Sequence, residues 1–366
     1  MENRKIRVAI THGDTNGVGY EVIFKTFAEP AMLDLCTPII YGSPKVAAYH
    51  RNALGIQANF TIISSAADAH NGKLNLLTTF DEEVKVELGS PSKEAGTAAL
   101  KALDRAMADY KAGLFDVLVT APINKSNIQG DGFKFCGHTE YLEEKAGDGS
   151  KSLMILLNDI MRVALVTTHL PVKDVSSAIT KELIIEKATI FNQSLKRDFR
   201  ISNPRIAVLA LNPHAGDNGL LGNEEQEIIA PAIKELSDKG VYAFGPFAAD
   251  GFFGSGAYGA FDGILAMYHD QGLAPFKALD RGEGVNFTAG LPIVRTSPDH
   301  GTAYEIAGKN VASERSFRNA VYVALDVFRN RAEYDAPLAH PLEKLYHEKR
   351  DDSEKTRFNI PKAKNS

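Results

Sequence analysis

Three histidines share one setting. His169 closes VALVTTH, His214 closes IAVLALNPH and His269 closes GILAMYH. Each stands where an apolar, strand-like run gives way to Gly, Pro or Asp. In open parallel sheets, ligands bind outside the carboxyl ends of the strands. If these strands share a sheet or flank one cleft, the three imidazoles can converge. Three protein ligands and an open position make a catalytic rather than a structural metal site. Imidazole suits zinc, cobalt, nickel or iron better than calcium. A single histidine after a strand is usually just a polar turn residue; the threefold repetition is the signal. No HExxH occurs, so the zincin arrangement is not supported.

Acids, cations and amides stand close to these histidines in sequence. Asp270 follows His269 directly, and an acid there can orient a ligand, bind substrate or accept a proton. Lys277 comes seven residues later, and Asn286 and Arg295 lie in GVNFTAGLPIVRTSPDHG. Together they suggest an anionic substrate, because Lys and Arg give charge-assisted hydrogen bonds to phosphate or carboxylate. Any one of them alone reads as a solvated surface residue. Two Gly-rich segments complete the set. THGDTNGVGYE follows the first apolar run but lacks the GxGxxG spacing of a Rossmann turn. In SPDHGTAYEIAG, Asp299, His300, Gly301 and Thr302 precede a short helical run, whose bare amides would suit a pyrophosphate.

Elements that could position these groups alternate along the chain. Strand-like runs at 6–10, 38–43, 60–64, 116–126, 162–171, 205–217 and 261–272 are interleaved with helical patterns, notably 93–113, 180–195, 223–240 and 313–330. That alternation predicts a parallel α/β architecture. The length, 366 residues, favours two domains. Lys plus Arg number 41 and Asp plus Glu 46, a net charge of −5, which argues against bulk nucleic-acid binding. The two cysteines, Cys36 and Cys136, exclude a disulfide framework and fit a reducing compartment. The first apolar run is too short for a signal-peptide core, and no run approaches membrane-span length, so a cytoplasmic protein is expected.

The ordered set GDTNGVGYE, VTAPINK, CGHTE, TTHLP, LNPHAGD, YHDQGLAPFK and GVNFTAGLPIVRTSPDHGTAYEIAG resembles the 4-hydroxythreonine-4-phosphate dehydrogenase family over about residues 7–330. The resemblance implies an α/β, two-domain fold like isocitrate and isopropylmalate dehydrogenases, with the active site in the cleft between domains. It implies a cofactor-side domain of residues 1–125 plus about 290–345 and a metal, substrate and dimerisation domain of about 126–289. Separately, the charged, weakly apolar last stretch, KRDDSEKTRFNIPKAKNS, predicts a mobile tail at 346–366 or an arm on a partner. The resemblance also implies NAD or NADP as cofactor, and a divalent metal (zinc, with magnesium or cobalt as alternatives) on His169, His214 and His269. The metal site is expected to be shared across a homodimer. His138, Thr139, Lys277, Asn286 and Arg295 match the substrate-binding residues. Asp250 and Asp270 match acids near the substrate, and Asp299, His300, Gly301 and Thr302 match a cofactor-contacting loop. The sequence departs from the family's first motif at Thr15, Asn16 and Tyr20, and from its last block at Tyr304 and Glu305. These departures are expected to bear on substrate selectivity.

The implied reaction is oxidation of the secondary alcohol of 4-phosphooxy-L-threonine, followed by decarboxylation of the resulting β-keto acid to 3-amino-2-oxopropyl phosphate in pyridoxal 5'-phosphate biosynthesis. Asp270, Asp250, Lys277 or a relayed water could take the proton. Alternatives are a dehydrogenase of a four-carbon sugar-acid phosphate, such as threonate or erythronate 4-phosphate, a His₃ metallohydrolase, and a non-catalytic metal-binding protein.

Overall fold

Among the described residues, twelve short apolar segments pair into one sheet. They are β1 (Ile6–Thr11), β2 (Cys36–Gly42), β3 (Phe60–Ile63), β4 (Leu74–Thr78), β5 (Val117–Thr120), β6 (Leu153–Leu157), β7 (Arg162–Leu165), β8 (Arg205–Leu209), β9 (Tyr242–Phe247), β10 (Gly263–Ala266), β11 (Val285–Ala289) and β12 (Val294–Pro298). The structure, a computed structural model, describes residues 4–80, 83–130, 134–135 and 137–339. Cys136 and the expected tail at 346–366 lie outside the described residues.

The spatial order is β3-β4-β2-β1-β5-β12-β11-β6-β7-β10-β8-β9. From β3 to β12 every neighbouring pair is parallel, as it is from β7 to β9. Both wings therefore have the expected parallel character. The centre does not: β12–β11, β11–β6 and β6–β7 are antiparallel. Two tight connections account for the first and last of these pairs. Gly290, at φ +83°, helps turn the chain between β11 and β12. The Asn158 side chain accepts from the amides of Ile160 and Met161, an Asx turn between β6 and β7.

Strand faces follow the two-residue period. Val8, Ile10, Ile40, Leu76 and Val119 join the largest buried cluster. Their alternating neighbours Ala9, Ile39, Tyr41, Leu77 and Leu118 pack in a second cluster with the helix Lys93–Lys111. That helix begins where Ser92 Oγ accepts from the Ala95 amide, and Gly113 follows it at φ +68°. Thr180 likewise caps the helix Lys181–Arg197 by accepting from the Leu183 amide. Three expected strands are too long. β7 stops at Leu165, β8 at Leu209 and β10 at Ala266, and the helix His269–Leu279 starts at the histidine itself. Gln271 Oε1 turns back to accept from the Met267 amide and fixes that entry. The last described helix, Arg315–Ala339, runs past the expected end at Asn330. The run after Thr302 is a three-residue 3₁₀ turn, Tyr304–Ile306, so the helix N-terminus expected to hold a pyrophosphate is not formed.

The loop after β1 needs its first glycine. Gly13 has φ +73°, and a Cβ there would stand 2.3 Å from the Pro122 carbonyl oxygen. The next amide, Asp14, donates to that same oxygen at 2.8 Å. Gly13→Ala is expected to destabilise the fold by more than about 1 kcal/mol, through positive φ and the clash together. Denaturant unfolding measures it, and an unchanged midpoint would contradict the reading.

Candidate functional site

A cavity of about 250 Å³ opens over the middle of the sheet. The strands β5, β12, β11 and β6 supply its floor through Thr120, Arg295, Ser297, Asn286 and Met154. Cross-strand register explains why these side chains share a face. Asn286 opposes Ser297, and Thr288 opposes both Arg295 and Met154. Paired residues point the same way and alternate ones oppositely. Thr296 therefore faces away, and its hydroxyl donates to the Ala320 carbonyl at 2.7 Å. A larger hollow of about 530 Å³, between Arg162 and the helix Arg315–Ala339, gathers none of the residues singled out from sequence.

Arg295 dominates the electrostatics. It is 3% exposed. Its Nε and Nη2 donate to Thr120 Oγ1 at 3.1 and 2.7 Å, and Nη1 donates to Thr288 Oγ1 at 3.1 Å. All three bonds go to neutral hydroxyls, and no carboxylate pairs with the guanidinium among the described residues. Burial pushes its pKa down to about 9. The Glu140 carboxylate offsets this burial only in part and makes no ion pair with the guanidinium, so an incoming anion is the natural further compensation.

His138, at the start of the helix His138–Ala146, borders the same cavity with Thr139. Burial holds the His138 imidazole neutral, and the nearby charges of Arg295 and Lys125 push its pKa the same way. Its Nε2 is buried with no hydrogen-bond partner; so are Asn286 Oδ1, His300 Nε2 and Glu140 Oε2. Buried polar atoms are nearly always paired in folded proteins, so this group calls for a polar ligand. Lys277 also lines the cavity, with its ammonium held by Asp299: 3.1 Å to Oδ1 and 3.2 Å to the carbonyl. Burial raises the Asp299 carboxyl above the usual range, against the pull of Lys277. His300 and Gly301 complete that rim.

The three histidines expected to bind metal follow β7, β8 and β10, which are neighbours in the order β7-β10-β8 and parallel. His169 lines the cavity, and its ring centroid lies 6.3 Å from that of His269. His169 Nδ1 faces Glu140 Oε1 at 3.4 Å, and His269 Nδ1 faces Asp270 Oδ1 at 2.7 Å. Carboxylates behind imidazoles are the usual support of metal-binding histidines, so the donor chemistry fits a divalent ion. His214 stands exposed on a segment of left-handed residues, His214 to Asn218. Among the described residues, no three His, Cys, Asp or Glu side chains form a group spaced to hold a metal ion. One chain thus brings two of the three imidazoles near each other. Asp250, on the exposed helix Ala249–Gly254, and Asp270 are not among the cavity-lining residues. Thr302 packs instead on the first loop: its carbonyl accepts from the Val18 amide at 3.0 Å and lies against Gly17.

Lys125, Glu140 and Thr120 were not singled out from sequence. Lys125 follows β5, and its Nζ donates to His169 Nε2 at 3.2 Å. The His169 imidazole, with Lys125 as a weaker influence, holds the Glu140 carboxyl below the usual range. VTAPINK and CGHTE contain all three residues, but nothing in either motif says that its charges meet across the sheet.

Residues 34–324 match the family model described as pyridoxal phosphate biosynthetic protein PdxA. The chain belongs to this family. It is 65% identical to a 4-hydroxythreonine-4-phosphate dehydrogenase of Bacteroides thetaiotaomicron, over 98% of each chain. A Sulfurihydrogenibium relative of the same name is 43% identical, covering 89% of this chain and 99% of its own. The crystal structure of the Klebsiella pneumoniae 4-hydroxythreonine-4-phosphate dehydrogenase superposes with a TM-score of 0.76 at 33% identity, over 88% of this chain and 99% of that one. The departures from the usual PdxA first motif prove to be structural. Thr15, Asn16 and Tyr20 are fully buried, and none lines the cavity. The Asn16 side chain donates to Ser90 O and Ser92 Oγ and accepts from the Glu87 amide. Tyr20 stacks between His12 and His50, with centroids 5.3 and 4.9 Å away. Tyr304 donates its hydroxyl to Asp14 Oδ2 at 2.8 Å, and Asp14 also accepts from Asn127 Nδ2 and the Asn16 amide. In this PdxA-family chain the first loop therefore braces neighbouring loops, and its three departing side chains lie away from the cavity that was expected to select the substrate.

Proposed function

We propose that the chain is a dehydrogenase that uses NAD or NADP to oxidise 4-phosphooxy-L-threonine to 2-amino-3-oxo-4-phosphooxybutanoate. This product then loses carbon dioxide to give 3-amino-2-oxopropyl phosphate, in pyridoxal 5'-phosphate biosynthesis. The observation that carries the reading is the buried Arg295 guanidinium, bonded only to hydroxyls, on the floor of a cavity also lined by His138, Thr139, Lys277 and Asn286. The names of the 65% and 43% identical relatives agree with it.

In this reading Arg295 and Lys277 bind the anionic ends of the substrate. Neutral His138 and the Asn286 amide give it directional hydrogen bonds. His169, His214 and His269 would hold a divalent metal, which supplies Lewis-acid polarisation of the substrate hydroxyl when bound. A homodimer completes that site; the incomplete histidine set within one chain supports this. Asp299, His300, Gly301 and Thr302 form the cofactor side. Of the side chains considered as proton acceptor, Lys277 alone lines the cavity of this chain. The strand order supports a division into a cofactor-side domain of 1–125 plus 290–345 and a metal-side domain of 126–289, because the wing β3 to β12 is built from the first set and β6 to β11 lie in the second. The buried free thiol of Cys36 suits a cytoplasmic setting, and no described helix is long and apolar enough to cross a membrane.

Formation of reduced nicotinamide, followed by absorbance, tests the proposal. The expected result is turnover of 4-phosphooxy-L-threonine that requires nicotinamide, stops with chelator and returns with zinc. Preference for threonate or erythronate 4-phosphate would move the substrate to the sugar acids. Product formation without nicotinamide would overturn the dehydrogenase reading in favour of a hydrolase.

A further inference from the structure

We propose that Lys125 is a substrate-binding residue that shares the phosphoryl group with Arg295; this rests on the reading of the cavity as a site for a phosphorylated hydroxy acid. The cavity has three side chains with permanent or near-permanent positive charge: Arg295, Lys277 and Lys125. Lys277 is already neutralised by Asp299 at 3.1 Å. Arg295 has only hydroxyl partners, and Lys125 Nζ has the His169 imidazole and no paired carboxylate among the described residues. Two cations with no carboxylate in ion-pair contact among the described residues thus border one volume of about 250 Å³, and the Glu140 carboxylate acts on both from a greater distance.

Both line the cavity that His138 borders. A methyl carbon built on Gly137 would touch the Lys125 side chain at 3.7 Å, which places the lysine stem against the start of the helix that carries His138. A phosphoryl group offers separate oxygen atoms to the two donors at once. The chemistry of the pair also suits a phosphoryl group. Thr120 and Thr288 fix the guanidinium fork in one orientation, and the ammonium on its flexible stem adds a mobile point charge. The hydrogen bond to His169 Nε2 holds that ammonium beside the cavity, from which it can turn to the incoming oxygen atoms.

Lys125→Met and Lys125→Arg in the full-length enzyme test this, with inorganic phosphate as probe. Calorimetry gives its affinity, and steady-state kinetics give its inhibition against the phosphorylated substrate. For Lys125→Met the expected result is phosphate binding weaker by about tenfold or more and KM raised by a similar factor, a larger change than that in kcat. Lys125→Arg restores most of the phosphate affinity. Phosphate affinity within about twofold of the parent in Lys125→Met, with kcat reduced, would overturn the proposal and leave Lys125 as a support for His169. Because phosphate binding needs no turnover, the two readings fail separately. A parent enzyme that binds phosphate through Lys125 but oxidises no phosphorylated alcohol sinks the dehydrogenase assignment alone. A parent enzyme that oxidises the substrate, with phosphate affinity indifferent to Lys125, sinks this proposal alone.

Discussion

Replacing Arg295 with methionine is expected to lower kcat/KM by roughly a hundredfold, about 3 kcal/mol, with little loss of fold stability. The two effects separate because the guanidinium is placed for a ligand rather than for the fold. Its hydrogen-bond partners are Thr120 and Thr288, both neutral, and its buried charge has no carboxylate in ion-pair contact among the described residues. Removing it gives up three hydrogen bonds, each worth about 1 kcal/mol. It also removes the cost of desolvating an unpaired cation, which is of comparable size and opposite sign. Methionine fills the same channel with an apolar stem. Thermal unfolding beside steady-state kinetics checks the split. A variant that loses activity only in step with its folded fraction would show that Arg295 is structural.

The second large effect concerns acid. His12 and His50 are fully buried on either side of Tyr20, and burial lowers both pKa values to about 4. Neither ring nitrogen of His12 has a side-chain or backbone partner within bonding geometry, while His50 Nε2 donates to Thr15 O at 2.7 Å. In the unfolded chain an imidazole takes its proton near pH 6.5. Between about pH 6.5 and 4 the unfolded state therefore binds more protons than the folded one, and stability falls as pH falls through that window. Above it both states are neutral at these sites and the term vanishes. Each ring contributes up to roughly 3 kcal/mol of this loss. Urea unfolding at pH 7 and at pH 4.5 measures the difference, and His50→Gln should flatten the dependence. Equal stability at the two values would mean that water or another group solvates the pair in the folded state.

Much of the framework could be read from residue patterns. The apolar runs at β1, β2, β3 and β5 and the capped helices beginning after Ser92 and Thr180 announce themselves through local chemistry. The polarity change at the centre does not. It depends on Gly290 and Asn158, whose turns declare themselves only when the flanking strands are known to pair. β4, β6, β11 and β12 are not distinguished as strands by the sequence, because short buried runs have no distinctive periodicity, and β9 is not because it is a largely exposed edge strand interrupted by Gly245 and Pro246. Of the site, the motifs of the resemblance indicated His138, Thr139, Lys277, Asn286, Arg295 and His169, and all border one cavity. Lys125 and Glu140 were missed because their importance lies in meeting His169 from elements far away in sequence. His214 shows the opposite limit: its slot after a strand was legible, but its loop bends through left-handed residues whose direction no strand pattern reveals.

The carboxylate of Asp14 ties together the segments after β1, β5 and β12, because Asn16, Asn127 and Tyr304 all donate to it. Displacing the segment after β5 or the one after β12 breaks its bond to this carboxylate, so a substitution at Asp14 would unfasten both from the segment after β1 at once.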